Sequence, residues 1–233
     1  MKHRIYTGQT YRQLPINQNY YLIEPYLNSI HNTLNNALTQ HPRTIIYNAI
    51  LRLPKEAGNV NNDNIISRFM DSFKQMLKAE LKRREREGKR VQDTTLRYVW
   101  CREKDSSCND HFHIFFLLNG DTYQQWGSFK NPKEGQMFFM ITEAWARAVG
   151  ILVSQNNGLV DIRSQPKTIN TKYLRTESEL DPFSGLMLNS YESTFHWMSY
   201  IAKLDTKNYG DNGRNFGCSQ NKMAKGILQR SRM

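Results

Sequence analysis

His111 and His113 are separated by one phenylalanine in the stretch HFHIFF, a pattern able to hold a metal ion. The residues that follow are strand formers, and in a strand alternate side chains share a face about 7 Å apart. Both imidazoles therefore point the same way, while Phe112 turns into a core. Glu103 lies at the far end of the loop KDSSCND and can sit opposite His111 on a neighbouring strand. Two imidazoles and one carboxylate leave coordination positions open, as in a catalytic rather than a structural site. Mixed nitrogen and oxygen ligands suit Mn²⁺ or Mg²⁺ bridging a phosphate. Two other readings stand beside this one. The histidines could be ordinary half-buried strand residues. Alternatively, Cys101, Cys108, His111 and His113 could form a zinc site, although C-x6-C-x2-H-x-H departs from the usual paired zinc spacings.

A second group lies in YESTFHWMSYIAKLDTK, which reads as a helix. At about 100° per residue, His196, Ser199, Tyr200, Lys203 and Lys207 share one polar face. Phe195, Trp197, Met198, Ile201 and Ala202 occupy the remainder. A tyrosine is a poor nucleophile at its free pKa near 10. Lys203, one turn on from Tyr200, could steady a phosphate or the developing phenolate.

The elements that must position these residues can be read along the chain. Ile23, Leu27, Ile30, Leu34 and Leu38 predict a helix ending at Pro42, and RTIIYNAILRLP predicts a strand. Asp63 is a candidate N-cap for a helix whose apolar stripe runs Ile65, Ile66, Phe69, Met70, Phe73, Met76, Leu77, Leu81, with Gly88 as its stop. Strands over 95–103 and 111–119 are apolar on both faces, as central strands of a covered sheet are. EGQMFFMITEAWARAVG predicts a helix stopped by Gly150, GLVDI a short strand, and KYLRTE another. The plan is α+β, a mainly antiparallel central sheet with flanking helices.

Charge sets the class of partner. Lys and Arg number 32 against 21 acids, a net charge of +11, which favours a polyanion, nucleic acid above all. Arg43, Arg52, Arg97, Lys203 and Lys207 are candidate DNA contacts. No run approaches the roughly 18 apolar residues of a membrane span, so no membrane partner is expected. The first residues lack the apolar centre of a secretory signal, and three cysteines are too few for a disulfide framework. A cytoplasmic location is the expectation.

At LRYVWCREKDSSCNDHFHIFFLLNGDTY, ITEAWARAVG followed by GLV, STFHWMSYIAKLDTK and GRNFGCS, the sequence resembles the His-hydrophobe-His (HUH) endonucleases that initiate rolling-circle replication. It is most similar to those of filamentous, inovirus-type phages and their prophage relatives. The resemblance covers roughly residues 43–220 and divides the chain into an N-terminal arm and helix (1–42), an HUH-type catalytic domain (43–210) and a basic tail (211–233). It implies that His111 and His113 ligate Mg²⁺ or Mn²⁺ with Glu103 as third ligand. It also implies that Tyr200 attacks single-stranded DNA at a replication origin, leaving a 5′-phosphotyrosyl link and a free 3′-OH, with Lys203 orienting the phosphate. Host helicase and polymerase are further implied partners in the bacterial cytoplasm. Tyr191 falls off the helix face of Tyr200, which implies a one-tyrosine enzyme. A non-catalytic DNA-binding protein on the same framework, a relic or regulator of a phage-like element, is the alternative.

Overall fold

Two ten-residue strands rich in β-branched and aromatic residues, Arg43–Arg52 and Asp110–Asn119, form the middle of the molecule. The computed structural model describes residues 4–54, 64–104, 110–156, 158–174, 178–180, 187–207 and 213–220. In chain order the N-terminal elements are β1 Ile5–Tyr6, β2 Thr10–Tyr11, β3 Leu14–Pro15, β4 Leu22–Ile23 and α1 Glu24–Gln40. There follow β5 Arg43–Arg52, α2 Ile65–Arg86, β6 Arg97–Lys104, β7 Asp110–Asn119 and α3 Met137–Val149. The rest are β8 Val160–Asp161, β9 Lys167–Asn170, β10 Glu179–Leu180, β11 Met187–Leu188, α4 Ser190–Ser199 and β12 Phe216–Cys218.

The main sheet runs β12-β6-β7-β5-β8, with β9 also paired to the outer edge of β5, and its pairings are antiparallel. The fold is therefore α+β with a mainly antiparallel sheet and, among the described residues, four α-helices. Strand parity sorts the side chains into two cores. Tyr47, Leu51, Trp100, Phe112, Ile114 and Phe116 pack with α2 and α3 on one face. Val99, Cys101, Phe115 and Leu117 pack with α1 and α4 on the other. Both central strands are covered on both sides, which is why their sequences lack a polar alternation.

The helices follow their apolar periodicity. Leu27, Ile30, Leu34 and Leu38 are buried along α1, and Ile65, Ile66, Phe69, Met70, Phe73 and Leu77 along α2. Each such side chain contributes roughly 1.5–3 kcal/mol when fully buried. Gly88 (φ +69) and Gly150 (φ +85) take the left-handed backbone just past α2 and α3, where a side chain would strain the stop. Asp63 lies outside the described residues; Asn64 occupies the N-cap of α2 without a side-chain cap bond. The charged end of α2 is more than a solvated face, because Glu80 is buried and held by Arg83 and Arg84.

Three segments depart from the reading by periodicity. The strand expected at KYLRTE falls earlier, at β9; Lys172 and Tyr173 belong to the turn that follows it, and residues 175–177 lie outside the described set. Phe216–Cys218, in a Gly/Asn-rich stretch, adds an edge strand against Val99–Cys101 of β6. The N-terminal segment folds onto the α1/α4 face, where Tyr11, Ile16 and Leu22 are buried. Among the described residues, no helix is long and apolar enough to cross a membrane.

Candidate metal centre

The β6–β7 register sets Glu103 opposite His111 and Cys101 opposite His113, so all four side chains project from the α1/α4 face of the sheet. Period-2 alternation produces this alignment, as the HFH spacing predicts. Glu103 Oε2 lies 3.4 Å from His113 Nε2 and 3.9 Å from His111 Nε2. Among the described residues, Glu103, His111 and His113 are grouped with ligand atoms all within 4.8 Å of one another. Donors about 2.1 Å from one ion stand roughly 3–3.4 Å apart in octahedral or tetrahedral geometry. These three need to close by less than about 2 Å, and the donor set fits a divalent ion. Asp110 pairs opposite Lys104, binds Arg102 at 3.3 Å and lies outside this group. Asp105 and Cys108 lie outside the described residues. Cys101 is not part of the Glu103–His111–His113 group, and burial pushes its thiol up to about 12.

Tyr200 and two lysines complete the site. Lys203 Nζ donates to Tyr200 Oη at 2.5 Å and stands 3.0 Å from Glu103 Oε2. Lys207 Nζ donates to Glu103 Oε1 at 2.9 Å. The Tyr200 ring meets His113 edge-on with centroids 5.5 Å apart. Burial of Glu103 raises its carboxyl pKa, but the His113 hydrogen bond and the Lys207 charge outweigh this and hold it well below the usual range. Burial also raises the Tyr200 phenol, against the opposing pull of Lys203. For both lysines, burial lowers the pKa; Tyr200 and Glu103 more than offset it at Lys203, and Cys101 and Glu103 do so at Lys207. The arrangement is a charged cluster with a phenol oxygen on its rim.

The single helical face expected from His196 to Lys207 is not what assembles it. α4 ends at Ser199, a 3-10 turn spans Tyr200–Ala202, and Lys203 is extended at ψ 143. The cause is tertiary. Lys203 bridges Leu22, the Leu204 N–H donates to the Tyr21 carbonyl, and Thr206 takes φ +65. That turn sends the chain back to Lys104 of β6, whose N–H donates to the Thr206 carbonyl. Lys207 thus arrives over Glu103, while Ser199 and His196 are buried.

The residues read as DNA contacts separate. Lys207 is fully buried in the cluster. Arg52 pairs opposite His111 and stands beside the site, with Asp161 3.5 Å away. Arg97 is six residues down β6 from Glu103, roughly 20 Å at the strand rise, and is buried with Gln40 as a partner. Arg43 holds Gly120 and Asp121 at the opposite end of β5. Tyr191 sits in the first turn of α4 and donates to Asn35 of α1, away from the cluster. Sequence reasoning missed Tyr20, whose ring lies 5.5 Å from Tyr200 and 5.3 Å from the Lys203 ammonium. Only the two adjacent tyrosines, Tyr20 and Tyr21, marked that position in the sequence.

Comparison with known proteins gives a consistent lineage. Residues 7–219 match the family model described as YagK/YfjJ C-terminal domain. The chain is 30% identical over 203 residues to the uncharacterized protein YagK of Escherichia coli (strain K12), covering 84% of this chain and 92% of that one. It is 29% identical over 205 residues to the uncharacterized protein YfjJ of the same strain, covering 84% and 93%. No solved structure gives a significant match.

Proposed function

The chain belongs to the YagK/YfjJ C-terminal domain family, and from that premise and the cluster on its sheet we propose a DNA-nicking and joining endonuclease on an HUH-type framework. It would initiate rolling-circle replication of a phage-like element through a 5′-phosphotyrosyl intermediate. The observation that carries the reading is the Tyr200 hydroxyl, hydrogen-bonded to Lys203, beside the Glu103–His111–His113 group on one sheet face. The net charge of +11 fits a DNA substrate.

Held by Glu103, His111 and His113, Mg²⁺ or Mn²⁺ would supply Lewis-acid polarisation of the scissile phosphate. Tyr200 Oη attacks phosphorus, the bond to O3′ breaks, and the proton lost by the phenol is balanced by the one gained by the 3′ oxygen. Lys203 stabilises the phenolate as it forms and draws the phosphate to it. Lys207 keeps Glu103 ionised and fixed. Arg52, next to His111, is placed to take a flanking phosphate. Because the phosphotyrosyl bond keeps the energy of the phosphodiester, the reverse attack by a 3′-OH rejoins the strand.

A randomised single-stranded DNA pool with Mn²⁺ tests this directly. A denaturant-resistant protein–DNA adduct mapping to Tyr200, absent in Tyr200→Phe, is the expected result. An adduct that persists in Tyr200→Phe overturns the assignment. One observation favours the non-catalytic DNA-binding alternative: Glu103 is already neutralised by two ammonium groups, which compete with a metal. Salt-sensitive DNA binding with no adduct at any Mn²⁺ concentration would select it.

A further inference from the structure

A cavity of about 560 Å³ opens beside Tyr200, walled by the N-terminal segment and by Asp205. Its wall includes Gln9, Asn17, Gln18, Asn19, Tyr20 and Tyr21. Three of the four amide-bearing residues and both tyrosines are exposed, Tyr21 at 69%. Among the described residues that line it there is no Lys or Arg, in a protein of net charge +11. Such a wall offers a phosphate no cation of its own and suits a flat, neutral, hydrogen-bonding group.

The cavity is fixed to the nucleophile loop. The Asn17 N–H donates to Ser199 Oγ at 2.8 Å, and Leu22 bridges Lys203. Leu204 N–H donates to Tyr21 O at 2.8 Å, and the Tyr20 ring meets Tyr200 edge-on at 5.5 Å. Within the wall, Gln18 Nε2 donates to Gln9 O and Asn17 Oδ1 accepts from Asn19 N–H. Residues 17–22 therefore wrap residues 199–204, and the cavity adjoins the loop that carries Tyr200.

From this placement we infer that the N-terminal cavity is a nucleobase pocket, reading one unpaired base beside the scissile phosphate. The inference rests on the nickase reading for the meaning of "scissile", and on the cavity alone for the binding. Tyr20 and Tyr21 offer stacking faces. The amides read a base edge, and the Asp205 carboxylate accepts from an exocyclic amine. The pocket therefore favours a base with an exocyclic amine, cytosine, adenine or guanine, over thymine.

Binding selection with the Tyr200→Phe protein isolates this from catalysis. The protein is equilibrated with randomised single-stranded DNA and the bound fraction sequenced. One position enriched about tenfold for an amine-bearing base over thymine is expected, with the preference lost in Asn19→Ala and Asp205→Ala. A pool without that preference, or one unchanged by those substitutions, overturns the pocket. A second readout uses a different side chain: 2-aminopurine at the preferred position should be quenched by stacking, and brighten in Tyr20→Ala. Equal fluorescence in both proteins also overturns it. The wild-type adduct assay reports separately on the nickase. A base preference without adduct keeps the pocket and removes the nickase; an adduct without base preference does the reverse.

Discussion

Replacing Lys207 by methionine removes one ammonium while keeping most of the stem. At 2.9 Å from Glu103 Oε1, an effective dielectric near 20 gives about 6 kcal/mol of attraction. Desolvation of the two ions offsets several kcal/mol of that, and removing one partner of a buried pair costs about 3–5 kcal/mol. Glu103 keeps Lys203 at 3.0 Å and His113 at 3.4 Å, which argues for the lower end, about 3 kcal/mol. For a chain of this size that is a melting temperature lower by roughly 6–12 °C. The sign with pH follows from the two partners. Lys207 is raised above its ordinary value, so its contribution is fully present below about 10.4 and is lost as pH rises through the folded value. Glu103 is depressed, so its contribution is present above about 4.3 and lost as pH falls. The gap between wild type and Lys207→Met should therefore hold from pH 6 to 8 and narrow below about pH 4. Urea denaturation across that range, with a double-mutant cycle against Glu103→Gln, measures it. A loss under 1 kcal/mol at pH 7, or no coupling in the cycle, would refute the buried ion pair and return Lys207 to the solvent.

Mn²⁺ at a hundredfold excess over its dissociation constant should stabilise the wild type by about 2.7 kcal/mol, and the His111→Ala/His113→Ala protein not at all. Equal thermal shifts in both would place the ion elsewhere. Burial pushes the Glu80 carboxyl up, but its hydrogen bonds from Arg83 and Arg84 hold it below the usual range. Its contribution is thus present above about pH 4.3 and lost on acidification. Glu80→Gln should cost about 1–3 kcal/mol at pH 7 and flatten the acid limb of the stability curve between pH 5 and 3. Parallel curves for the two proteins would show that the buried carboxylate is not what the limb reports.

What could be read from the sequence tracks how local its cause is. His111, His113 and Glu103 were legible because strand alternation is a local rule and both flanking strands are strongly patterned. The α1, α2 and α3 stripes were legible for the same reason. Lys203 was found beside Tyr200, yet through the wrong geometry. Nothing in SYIAKL stops a helix; the break comes from Leu22 and Tyr21, some 180 residues earlier, taking the backbone groups of Lys203 and Leu204. Lys207 could not be placed inside the cluster, since its position depends on the positive φ of Thr206, a residue type that gives no warning of it. Phe216–Cys218 escaped because three residues in a Gly/Asn-rich stretch carry no period, and their pairing with β6 is decided by the strand they meet. The N-terminal segment read as a polar arm because Tyr11, Ile16 and Leu22 are scattered among amides.

The bond from Asn17 to Ser199 joins residues 182 positions apart, and the bridge from Leu22 to Lys203 is nearly as distant. Contacts of such separation form late, because the chain between them must be ordered first. A ribosome that has delivered β5, β6 and β7 has produced the clasping segment 17–22, the histidines and the glutamate, but not Tyr200 or Lys203. Until residues 199–204 emerge, the sheet that carries Glu103, His111 and His113 thus exists without Tyr200. On the proposed nickase reading, assembly order keeps the growing chain chemically silent until residues 17–22 and 199–204 meet.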